Sequence, residues 1–121
     1  MQIPASLLNF GPANNLNPMV RHVILWKLRE DIPTSEVKTI KDEIKKGLEG
    51  LVGKVPGLLE VSVNVDGRLD SSNADVMLDC ILESPEALKG YATHPAHLEV
   101  ANGKVRPYTA VRTCLDYEFQ K

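Results

Sequence analysis

The chain has 121 residues, of which 43% are hydrophobic and 25% charged, with a formal net charge of -2. That length and balance suit one globular domain. The 14 basic and 16 acidic residues exclude a general nucleic-acid or membrane-surface binder, which needs a basic excess, and no apolar run reaches the roughly 18 residues that cross a bilayer.

Residues 1–18 include Leu7, Leu8 and Phe10, yet no Lys or Arg precedes them, so the charged start and long apolar core of a signal peptide are missing. Pro4, Gly11, Pro12, Asn14, Asn15, Asn17 and Pro18 break any regular element. We expect an extended arm over 1–18 and a folded domain over 19–121, in the cytoplasm.

Met19 to Leu28 is the strongest strand signal, rich in β-branched and aromatic residues. Its centre, Val23-Ile24-Leu25-Trp26, is apolar on both faces and should be covered on both. Pro33, Thr34 and Ser35 then prepare a helix, with Thr34 or Ser35 as N-cap and Glu36 at the positive end of the dipole. Val37, Ile40, Ile44, Leu48 and Leu51 follow at spacings of three and four, one apolar stripe. Lys38, Lys41, Asp42, Lys45 and Lys46 form its solvated side, and Gly50 and Gly53 end it.

A second strand is expected from Leu58 to Val65, with Val61, Val63 and Val65 on one face. The polar loop 66–75 leads to a third strand over Ala74–Leu82. Ser84-Pro85-Glu86 is a helix start: a hydroxyl cap, proline at the first position, an acid in the first turn. Pro95 should interrupt that helix, and a second short one should run to about Lys104. Val111 to Phe119 is the last strand. Trp26 and Met77 are expected in the core or at a subunit interface.

Strand, helix, strand, strand, helix, strand is the order of a ferredoxin-like α+β fold with an antiparallel four-stranded sheet. Helices cover one face of such a sheet. The apolar residues on the other face need a second cover, and a homodimer of C2 symmetry supplies it most simply.

Cys80 and Cys114 each lie in an apolar segment without a second Cys nearby. Spacing leaves a disulfide open, but two buried free thiols and a reducing compartment are the expectation. No carboxylate or Cys stands at a regular ligand spacing from the histidines, so neither a metal nor another cofactor is expected. No phosphate loop, nucleophile elbow or dinucleotide fingerprint is present.

Val20-Arg21-His22-Val23-Ile24-Leu25-Trp26-Lys27, Tyr91-Ala92-Thr93-His94-Pro95-Ala96-His97, Val105-Arg106-Pro107 and Asp116-Tyr117-Glu118 together resemble the stress-responsive A/B barrel (Dabb) family, from about Met19 to Phe119. The resemblance implies a ferredoxin-like protomer whose sheets pack face to face as a dimeric α+β barrel. Some plant members are linked to stress tolerance or defence. One similar enzyme, a plant polyketide cyclase, closes a linear chain by aldol condensation without a cofactor. Its catalytic Tyr and His match Tyr91 and His97, and a first-strand histidine matches His22. The loop at Ser72-Asn73-Ala74-Asp75 departs from the Gly-aromatic pair of many relatives, so the substrate does not carry over.

The three histidines of the chain all fall in these motifs. His97 is the candidate general base, titrating near neutrality. Tyr91 is the candidate donor to a carbonyl oxygen as negative charge develops there, and His22 would orient His97 or bind the substrate. The plainer alternative has His97 covering the second helix and Tyr91 as a core residue whose hydroxyl reaches the surface. His94, before Pro95, is expected only to hold a turn. The functional expectation is a small, mostly apolar carbonyl compound bound between sheet and helices, with cofactor-free acid/base catalysis. A non-enzymatic stress-associated dimer and a cofactor-free monooxygenase are the alternatives.

Overall fold

Strand β1 (Met19–Leu28) is the axis of the fold, hydrogen-bonded to a neighbouring strand along each edge. The computed structural model describes residues 18–120, so the expected arm lies outside the described residues except for Pro18. Strands β2 (Leu58–Asn64), β3 (Val76–Leu82) and β4 (Thr109–Phe119) complete a four-stranded sheet in the order β2-β3-β1-β4, antiparallel throughout. This is the expected ferredoxin-like order.

Helix α1 (Thr34–Glu49) buries Ile40, Ile44 and Leu48, the stripe set by its spacing. Its start differs from expectation. Extended Pro33 occupies the N-cap position, with no side-chain cap, because the helix begins one residue early and Thr34 and Ser35 fall inside its first turn. At its other end Glu49 accepts from the Val63 N–H at 3.0 Å, and Lys45 donates to the Val63 carbonyl at 2.8 Å. The helix thereby supplies partners to backbone groups of edge strand β2.

Helix α2 (Pro85–Thr93) starts as its sequence dictates, the Ser84 hydroxyl accepting from the Ala87 N–H at 3.0 Å. It stops at His94, whose backbone is extended because the following proline disfavours the helical region. The His94 Nδ1 accepts from the Ala96 N–H at 3.0 Å, the turn-holding role expected of it, and opens α3 (Pro95–Val100). That helix ends before the expected Lys104. The chain widens into a π turn over Ala101–Val105 and tightens into a 3-10 turn over Arg106–Tyr108. Asn102, Gly103 and Pro107 explain the change: two poor helix formers, then a residue without a donor.

The core lies between the helices and one face of the sheet, where Ile44, Leu48, Leu51, Val63, Leu78, Cys80, Leu82 and Tyr91 are almost fully buried. Gly57, at φ +81°, carries the chain into β2 where an added Cβ would stand 2.6 Å from the Ala87 Cβ. Trp26 joins the core. Met77 lies on the opposite face with Leu25, Val111, Leu115 and Tyr117, all exposed in the single chain. Cys80 is a buried free thiol as expected. Cys114 is free but exposed, a correction. It stands on edge strand β4, largely uncovered by helices, and an apolar segment does not reveal which strand lies at an edge.

Candidate functional site

Residues paired across an antiparallel ladder project to the same face. His22 stands opposite Cys80 on β3 and Asp116 on β4, and Trp26 stands opposite Arg112. All therefore point to the helical side, where a cavity of about 170 Å³ lies between the sheet and α2–α3. Ile24, Trp26, Leu78 and Leu88 supply apolar lining; His22, Tyr91 and His97 supply ring polar groups; Arg106 and Arg112 carry the charge.

The three ring residues expected from the sequence come together here. Tyr91 is the middle one: its ring centroid is 4.2 Å from that of His97 and 5.9 Å from that of His22. His22 does not reach His97 directly, and its hydrogen-bond partner is Asp116. The His22 Nδ1 and the Asp116 Oδ1 form a short contact, which fixes the imidazole ring as a carboxylate does in many acid/base pairs. Asp116 was not among the expected site residues. An acid beside the apolar Leu115 and Tyr117 was the available signal, but its partner follows only from the β1–β4 register.

Tyr91 is buried to 1% exposure, and its hydroxyl does not reach the surface as the plainer alternative required. That hydroxyl and the His97 Nδ1 are both buried without a hydrogen-bond partner. The Cys80 thiol is the polar neighbour of the Tyr91 hydroxyl, without regular hydrogen-bond geometry. Burial pushes the Tyr91 hydroxyl well up and the Cys80 thiol up to about 12, so both stay protonated. Burial also lowers His97 below its ordinary value. The nearby Ala92 carbonyl opposes that shift, while the charges of Arg106, His22 and Arg112 add to it. The site thus presents a neutral imidazole beside a protonated phenol, a base next to a hydrogen-bond donor.

Cys114 lies on the same face, its Sγ 3.5 Å from the Asp116 Oδ1 and 3.8 Å from the His22 Nδ1. His22, Cys114 and Asp116 form the group among the described residues that could offer ligand atoms to a metal. They come from two strands, which no spacing along the chain reveals. The Cys114 thiol is held protonated, first by desolvation and then by Asp116, and the His22 nitrogen is already engaged.

The family profile for the Stress Responsive A/B Barrel Domain matches residues 20–119. A dimeric protein of unknown function with a ferredoxin-like fold from Bacteroides fragilis is 29% identical, with a TM-score of 0.77 over 84% of this chain and 96% of that one. A dimeric ferredoxin-like protein from Thermobifida fusca is 19% identical, with a TM-score of 0.69 over 85% and 92%. A hydroxynitrile lyase from Passiflora edulis is 15% identical, with a TM-score of 0.64 over 85% and 94%. No curated protein matches the sequence.

Proposed function

The chain belongs to the stress-responsive A/B barrel family, and on that premise we propose that it binds a small carbonyl compound and catalyses cofactor-free proton transfer at the carbon beside the carbonyl. One observation carries this: a buried phenol hydroxyl and a buried imidazole nitrogen, both without a protein partner, stand in adjacent rings at one cavity. A buried polar atom left unpaired costs about 1–3 kcal/mol. The Cys80 thiol and the Ala92 carbonyl lie near these groups without satisfying them in regular geometry, which favours a ligand over the purely structural reading.

Neutral His97 takes the proton from the carbon beside the carbonyl. The Tyr91 O–H donates to the carbonyl oxygen as it becomes an enolate. The enolate carbon then attacks a second carbonyl carbon of the same chain, and His97 returns its proton to the alkoxide that forms. His22, held by Asp116, packs against the other side of Tyr91. The apolar lining keeps water from the enolate. Carbonyl chemistry has precedent on this fold in the Passiflora edulis hydroxynitrile lyase.

We also propose that the protein is a homodimer closed over the open face of the sheet. The apolar side chains there support it, and the Bacteroides fragilis and Thermobifida fusca relatives are dimeric.

The test is turnover of a linear β-polyketo ester, followed as the ring product forms. His97→Ala should reduce the rate about 100-fold or more, the usual scale for a general base. Unchanged turnover and binding in that variant would end the catalytic reading.

A further inference from the structure

We propose that the ligand of this cavity carries an anionic oxygen group, a carboxylate or a phosphate, held by Arg106 and Arg112 while the carbonyl end lies against Tyr91 and His97. This rests on the cavity being a ligand site, as read above.

The chain has five arginines, and three are paired with carboxylates: Arg21 with Asp79, Arg29 with Asp31 and Arg68 with Asp75. The remaining two are the two that line the cavity. Among the described residues Arg106 donates to the neutral Asn102 side-chain oxygen, and Arg112 has no ion pair with a carboxylate. The guanidiniums that lack a counter-charge are therefore gathered at one place.

They arrive there from different elements. Arg106 opens the 3-10 turn that follows the π turn, and Arg112 stands on β4 in register with Trp26. Both are close enough to His97 for their charges to act on it. Asp116, the nearer along the strand of the two acids on that face, is engaged by His22, and Glu118 lies beyond it and does not line the cavity. The cavity thus has an apolar body, a neutral acid/base pair and a positive edge with no negative group of its own to satisfy it.

The guanidinium fork matches the planar carboxylate and the phosphate in paired hydrogen bonds, and binds either more strongly than a neutral amide. The volume of about 170 Å³ compares with a roughly 150 Å³ apolar cavity that admits benzene. A single ring or a short acyl chain fits inside, and its charged end meets the arginines at the exposed edge.

Trp26 is the one tryptophan of the chain and lines the cavity, so its fluorescence reports occupancy. The experiment titrates the full chain with benzoate, phenyl phosphate and neutral benzamide. At least one anion should bind about tenfold or more tighter than benzamide, and the stronger of the two identifies the head group. Arg106→Gln with Arg112→Gln should abolish that preference, bringing anion affinity down to that of benzamide. Arg106→Lys with Arg112→Lys, which keeps the charge, should retain part of it. Equal binding of all three probes would overturn this inference and leave the ligand pocket standing, as would a preference that survives the double Gln variant. Absence of binding by every probe would remove the pocket and the inference together.

Discussion

Tyr91 and His97 are the residues where the proposed function would carry a cost in stability. The Tyr91 hydroxyl is buried and unpaired, so removing it removes a desolvation penalty. We expect Tyr91→Phe to leave stability unchanged or raise it by about 1 kcal/mol, measured by urea denaturation, while turnover falls. A structural tyrosine would behave in the opposite way. His97 is lowered from 6.5 by burial, with Arg106, Arg112 and His22 adding charge repulsion; Tyr91, packed against it, stays protonated. A histidine lowered on folding binds its proton more weakly than the unfolded chain does. Stability therefore falls as pH drops below 6.5, and stops falling once pH is under the folded value. Proton NMR of the ring should place the His97 midpoint below 6.5, and Arg106→Gln should move it upward. A midpoint at or above 6.5 in the native chain would contradict the burial of this ring.

The elements hold the site by local signals and by a few close approaches. The His94-Pro95 break lets Tyr91 on α2 and His97 on α3 meet ring to ring, which one straight helix would not arrange for residues six apart. The Ser84 cap sets where α2 begins, and Ser84→Ala should cost about 1 kcal/mol. Gly57 is more demanding. Its φ of +81° disfavours any side chain, and an added Cβ meets the Ala87 Cβ at 2.6 Å. Gly57→Ala should cost roughly 1–3 kcal/mol, read as a lower midpoint of thermal unfolding.

At the scale of the whole molecule the sheet has one face under helices and one without cover. Leu115, 63% exposed, and Val111, 53% exposed, stand on that open face beside Leu25, Met77 and Tyr117. We expect Leu115→Lys to convert the proposed dimer to a monomer in sedimentation velocity, while circular dichroism keeps its folded signature. A native chain that is monomeric at micromolar concentration would contradict the dimer. No helix among the described residues is long and apolar enough to cross a membrane.

Periodicity and turn chemistry are properties of the chain itself, and they carried the element order, the apolar stripe of α1, the Ser84 cap and the break at Pro95. The motif positions likewise brought Tyr91, His97 and His22 forward. Pairing across strands is different, because it joins residues far apart along the chain. His22 and Asp116 meet only once β1 and β4 are in register, Arg112 reaches the cavity for the same reason, and Cys114 proves exposed only when β4 proves to be an edge. Linear spacing holds no record of those contacts, so only the folded sheet decided them.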